Sequence, residues 1–396
     1  MRLPSSPALA RSLSRIAGAA FAIWFAACGG SNSTGPINSH LGSVRVSVAT
    51  SGSDLDTGYA VILDAGVPQG YAIGNNTSIV VPALFTAVQH TVSLGGIDRN
   101  CAVSGSDSQV VDVRANDTIS VAFAVDCHTP TPLRDRIVFA QSTGSDSMEI
   151  FVADTDGANA TPITQVHFAA HPRVSPDGSE ILFNNYVGLE ISGVAGYAVS
   201  RMRADGSNLR RVATPCAFSK DASWSRDGTR IAFVCDSGGA QVPEVWTMNS
   251  DGSTMKGLTN LPPSLGIFSP VWSPDGNRIA FVANDALYVV NADGSGIGPV
   301  PVTDQTYSVD WSPTGDSLLC LCALTSNNFL LRVITPDGAV DRVVSSSLVG
   351  VGFDVAWAPD GKRIVTDGDQ IYTVHSDGTH QVAITTNGGY QPAWSP

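Results

Sequence analysis

Trp272-Ser273-Pro274-Asp275-Gly276-Asn277-Arg278-Ile279-Ala280-Phe281 decides the fold. The string places a tight turn between two short strands. Asp-Gly supplies the positive φ that such a turn needs. Pro274 fixes φ at the turn entrance, and the large indole is suited to fill space between packed sheets. Working outward, variants return at Val174-Ser-Pro-Asp-Gly178, Trp224-Ser-Arg-Asp-Gly228, Trp311-Ser-Pro-Thr-Gly315 and Trp357-Ala-Pro-Asp-Gly361. A second series, strands ending in Asp-Gly, has its glycines at 157, 206, 252, 294, 338 and 378, spaced 49, 46, 42, 44 and 40 residues apart. Four short strands repeated with such a period indicate a β-propeller. The repeats begin mid-unit, at the second strand Arg136-Ile-Val-Phe139, and end at Pro392-Ala-Trp394-Ser-Pro396, which has the pattern of a first strand. Joining the two ends closes a ring and removes the exposed edges of an open sheet. The expectation is an all-β chain whose residues 133–396 form a six-bladed propeller closed by the C-terminal strand.

These strings resemble the WD40-like (PD40) propeller repeats of the TolB family, over about two thirds of the chain. The resemblance implies a protein-interaction scaffold of the periplasm.

Residues 1–28 read as an export signal. Arg2, Arg11 and Arg15 precede an apolar run from Ile16 to Ala27. That run is too short to span a bilayer, which needs about 20 residues. It ends in Phe25-Ala26-Ala27-Cys28, which resembles the lipobox of bacterial lipoproteins, with Phe25 in place of the usual Leu. The resemblance implies a diacylated Cys28, and Gly29 after it implies transfer to the outer membrane. Residues 29–42 are then a flexible tether, with lipid chains holding the body at the membrane.

Residues 43–128 alternate apolar and polar residues in short runs, as at Val44, Val46 and Val48, with Gly, Asn and Asp between them. Period two indicates antiparallel strands and a small β-sandwich, resembling Ig-like or PEGA-type modules. Cys101 and Cys127 are its only cysteines. In an oxidising compartment they are expected to pair and to stabilise the module by about 3 kcal/mol. Cys216 and Cys235 flank two strands of one repeat, and their pairing stays open. Cys320 stands where other repeats carry Phe, which suggests a buried thiol. Its spacing from Cys322 does not fit a Cys-x-x-Cys redox pair.

Catalytic signatures are sparse. Gly-x-Ser-x-Gly does not occur. The seven histidines show no metal-ligand spacing, and no metal or cofactor is expected. Asp154 to Asn159 resembles the start of a calcium loop but lacks its Glu, and it coincides with a repeating hairpin turn. Beyond the signal the chain carries 19 basic against 35 acidic residues, with no basic cluster, which argues against nucleic acid.

A ligand is expected on the face opposite the Asp-Gly turns, where the variable loops lie. Two of those loops are apolar and carry Phe268 and Phe353. They form either an exposed patch or local packing. The residue three before each Trp position falls near the channel mouth on that face: His171, Asp221, Ser269, Ser308, Asp354 and Gln391. The expected function is a non-catalytic, lipid-anchored envelope protein that binds a protein or polymer through its loop face. The alternative is a secreted carbohydrate- or peptide-acting enzyme or lectin-like module, which convergent histidines and carboxylates at the channel would favour.

Overall fold

The computed structural model describes residues 40–396, except 57, 65–69, 145–146, 167, 188–195, 213, 237–242, 263–265, 303, 326–327, 349–353 and 387. Cys28 and Phe353 therefore lie outside the described residues. Every long element described is a strand.

Eight strands precede the repeats: β1 Leu41–Gly52, β2 Gly58–Leu63, β3 Gly70–Gly74, β4 Ser78–Phe85, β5 Gln89–Gly95, β6 Cys101–Val103, β7 Ser108–Asp112 and β8 Thr118–Cys127. They form two four-stranded sheets, ordered β4-β1-β8-β6 and β3-β2-β5-β7. The period-two pattern sends Val44, Val46 and Val48 of β1 inward beside Val121, Phe123 and Val125 of β8. β1 and β8 run parallel, whereas all strands were expected to be antiparallel. Parallel pairing is possible because the rest of the module lies between them in sequence. Cys101 stands directly opposite Cys127 in the β6–β8 ladder, and the two are disulfide-bonded.

Six further four-stranded antiparallel sheets follow, five of them with their strands in sequence order from the inside outward. Blade I joins Tyr390–Trp394 to Arg136–Gly144, Ser147–Asp154 and Thr161–Pro162. Blades II to VI begin at Ala169, Phe218, Ile267, Gln305 and Val355. The ring closes where Ala393 pairs with Val138 and Trp394 with Ile137.

Each hydrophobic cluster of the propeller mixes residues of two consecutive blades. Trp272 of blade IV packs with Ala232 and Val234 of blade III, and Trp394 of blade I with Ala356 and Val365 of blade VI. The cores therefore lie between blades. An arginine from the preceding blade covers the outer face of several indoles: Arg230 lies 4.2 Å from the Trp272 ring and Arg363 4.8 Å from that of Trp394.

The serine of the repeat string has a role that its sequence alone does not display. Ser225 Oγ donates to Asp227 Oδ1 at 2.6 Å and accepts from the Arg230 N–H at 2.9 Å, so one hydroxyl ties both ends of the turn. Ser273 repeats this with Asp275 and Arg278. At the other turn series, Gly206 has φ +88, and a Cβ there would sit 1.9 Å from the Ile163 carbonyl oxygen. The Ser225 hydroxyl, then the Thr229 N–H, hold Asp227 down to about 2. A carboxyl depressed on folding stabilises above its unfolded pKa, and that contribution is lost as pH falls through the folded one. Thermal melts are expected to drop steeply between about pH 4 and pH 2 as these turns protonate. A melting temperature that stays level across that range would contradict the account.

Two cysteine pairs lie within the ring. Cys216, in the connection that enters blade III, is bonded to Cys235 of that blade. Cys320 and Cys322 are bonded too, which corrects the expectation of a buried thiol. Residues i and i+2 of a strand share a face, so both sulfurs lie on one side.

The N-terminal module meets the propeller at blades I and II on the Asp-Gly side. Asp54 pairs with Arg203 at 2.9 Å, Asp98 accepts the Asn208 N–H at 3.0 Å, and Arg99 donates to the Pro162 carbonyl at 3.3 Å. The loop face lies at the other end of the ring.

Candidate functional site

The first strands of the blades line the channel, and four of them are broken near their start by a left-handed residue. In blades I to IV the ladder shifts register at Gln391, His171, Asp221 and Ser269 respectively. All four residues have a left-handed backbone, with φ between 50° and 55°. Such β-bulges re-aim a side chain at a local cost and collect at functional sites. Here they turn one polar residue per blade toward the lumen.

On the loop face the lumen widens into a funnel of about 810 Å³. His171, Asp221, Ser269 and Gln391 line it, as does Phe268, which is 42% exposed. Ser308 and Asp354 do not reach the open cavity. Both are fully buried beneath it, where the Ser308 hydroxyl donates to Asp354 at 2.6 Å. Arg173 is bonded to Asp354 there.

The floor is a charge cluster that crosses the channel. Arg173 of blade II reaches Asp354 of blade VI at 2.6 Å. His171 Nδ1 lies 3.6 Å from Asp354, and His171 Nε2 lies 3.8 Å from Asp221. Gln391 donates through its amide nitrogen to His171 Nε2 at 2.8 Å and accepts the His171 backbone N–H at 3.0 Å. Asp221 accepts from the Asn184 side chain at 2.9 Å, and Asn184 accepts the Asp221 backbone N–H in return. Asp367 accepts the N–H groups of both Asp354 and Gln391.

Burial alone raises the Asp354 pKa. Arg173 beside it, with His171, outweighs burial and holds the carboxyl well below the ordinary range. Burial also works against ionised Asp221, and His171 and Lys220 more than offset it. Asp310, further down the lumen, goes the other way: burial pushes it up to about 6 although the N–H groups of Trp357 and Trp311 bond it. Among the described residues no cluster of three metal-ligating side chains is present.

Several lining residues were not singled out in the sequence. Tyr390 stands one position before the bulge residue, at the place Phe268 fills in blade IV and Lys220 in blade III, and Tyr307 falls at the same distance from its Trp in blade V. The repeat thus carries two adjacent lumen positions, and the aromatic one was legible at four residues before each Trp. Phe168, Tyr197 and Asn184 complete the wall from less regular positions. The Lys220 ammonium lies 4.0 Å over the Phe268 ring and 3.7 Å from Asp221. Next to the funnel, an apolar groove of about 460 Å³ runs between Tyr186, Phe218, Ile267 and Phe268. The opposite mouth, of about 300 Å³, is rimmed by prolines and indoles of the repeat string.

Residues 130–396 match the family model described as the TolB beta propeller domain. Among solved structures, TolB from Acinetobacter baumannii superposes with a TM-score of 0.56 at 15% identity, over 68% of each chain. A nidogen/laminin complex gives 0.53 at 10% identity, over 66% of this chain and 98% of that one. Hydrazine synthase from Kuenenia stuttgartiensis gives 0.52 at 14%, over 67% and 47%. At these identities the likeness is one of fold. No curated protein matches the chain. With the repeats, the closed ring and a family model that spans two thirds of the sequence in agreement, the chain belongs to the TolB β-propeller domain family.

Proposed function

We propose that this chain is a cell-envelope lipoprotein, anchored through Cys28, that captures a partner protein or polymer at the loop face without turning it over. The observation that carries this reading is the funnel of about 810 Å³, walled by aromatic side chains on a rigid ring and continuous with an apolar groove. Cavities of this size and lining on a preformed scaffold are the usual form of a binding site. TolB-like propellers are envelope proteins, which fits the export signal and tether.

One observation favours the enzyme alternative: His171 sits between the carboxylates of Asp221 and Asp354. Its Nε2 is, however, taken up by the Gln391 amide, and Asp354 by Arg173 and Ser308. These bonds leave the cluster engaged in holding the blades together rather than directed at a bound group.

The intact lipoprotein, affinity-purified from its own envelope, is expected to bring down a partner that Phe268→Ser loses by at least about tenfold, since an aromatic anchor contributes more than 1.4 kcal/mol. Mass spectrometry of the mature N-terminus is expected to find a diacylated Cys28. Turnover of a glycan or peptide abolished by His171→Ala would overturn the non-catalytic reading. Capture unchanged by Phe268→Ser would overturn the loop-face assignment.

A further inference from the structure

Lys220 occupies an unusual place for a surface lysine. Its ammonium is turned into the funnel, over the Phe268 ring at 4.0 Å and beside Asp221 at 3.7 Å. A flexible, strongly hydrated lysine would otherwise extend into water. That it folds inward shows that this corner of the funnel holds a cation by two forces: the negative face of an aromatic ring and a buried carboxylate.

The surroundings keep the same sign. Asp285 also lines the funnel, as do the aromatic side chains of Tyr307 and Tyr390. Arg173 is committed to Asp354, so its charge is matched below the floor. His171 is engaged at Nε2 by the Gln391 amide. An incoming carboxylate would meet Asp221 and Asp285. An incoming cation would meet both, together with ring faces.

We infer that the funnel takes a lysine or arginine side chain of an extended peptide, seated between Phe268 and Asp221 at the place Lys220 itself fills in this structure. The inference rests on the loop-face reading above and names the ligand class of that site. The occupant is a peptide because the cation corner opens directly into the apolar groove, with Tyr197, Lys220 and Phe268 shared by both. A basic residue in the funnel therefore places a neighbouring apolar residue against Tyr186, Phe218 and Ile267. Lys220 acts as an internal competitor that swings out when the ligand cation enters.

The test uses fluorescently labelled Ac-Gly-Lys-Phe-Lys-Gly-NH2 and its Glu-for-Lys counterpart, titrated against the mature chain by anisotropy. The basic peptide is expected to bind at least about tenfold more tightly than the acidic one, and the gap to narrow as salt rises from about 50 to 500 mM. Asp285→Asn and Phe268→Ser are each expected to weaken the basic peptide severalfold, with melting temperatures near that of the parent. Lys220→Gln is expected to tighten it, which a purely structural role for Lys220 does not predict. If the acidic peptide binds equally well and is lost in Phe268→Ser, the cation assignment fails while the loop-face reading stands. If the basic peptide binds but ignores both Phe268→Ser and Asp285→Asn, the contact is general surface charge and the assignment fails. If neither peptide binds at about 1 mM, the peptide class itself is overturned.

Discussion

Deletion of residues 391–396 is expected to open the ring and lower its stability by more than about 3–5 kcal/mol, the usual cost of losing a single large core aromatic. Trp394 packs with Ile137, Phe139, Ala358 and Ile371, so it seals the seam between blades VI and I. The deletion also removes the Ser395 hydroxyl that accepts the Arg136 N–H at 2.8 Å, and the Gln391 amide that holds His171. What remains exposed is the unpaired edge of Arg136–Gly144, a template for aggregation. Denaturant titration should therefore show a lower midpoint, and gel filtration should show higher oligomers. A truncated chain that unfolds like the parent would show that the last strand is not part of the closure.

The second large effect is expected at Arg173. Arg173→Met leaves Asp354 fully buried with no guanidinium beside it. Breaking one partner out of a buried ion pair costs about 3–5 kcal/mol. Burial then dominates the carboxyl, so its folded pKa rises above the unfolded value. The destabilisation is present while Asp354 is ionised and fades as pH falls through that raised value. The loss should thus be larger at pH 7.5 than at pH 5 by urea titration. Arg173→Met with Asp354→Asn should regain most of the stability, because no charge is left buried. Equal losses in the single and double variants would show that Arg173 contributes packing alone.

The propeller was readable because its turns have chemistry that few residue types satisfy. Asp-Gly recurs at hairpin turns whose glycine is left-handed, and each Trp of the repeat string packs at a seam between blades. The site was only half readable. Counting three residues back from each Trp position found the left-handed bulge residues at His171, Asp221, Ser269 and Gln391, since in these four blades the bulge falls at the same distance from it. The same count placed Ser308 and Asp354 near the channel mouth, yet both are buried, with Asp354 bonded to Arg173. A ring count gives the height of a residue in the channel but not what reaches across from the far side. The pairing of Arg173 with Asp354 joins residues 181 apart, and no local pattern encodes it. The parallel β1–β8 pair was invisible for the same reason: alternation gives the inward face of a strand but not the direction of its neighbour.

The bulge also separates two parts of the inner strand in blades I to IV. Downstream of it, register must keep the indole and the turn serine in place, because a one-residue slip would send the Trp to the wrong face. Upstream, the left-handed residue has already absorbed the irregularity, so side chains there change without moving the seam. In blades I to IV that upstream position holds Tyr390, Ala170, Lys220 and Phe268, which vary in size, charge and aromaticity. The ring therefore behaves as a set of independently addressable sockets, in which the composition of the mouth can be rewritten one blade at a time while the scaffold that presents it stays fixed.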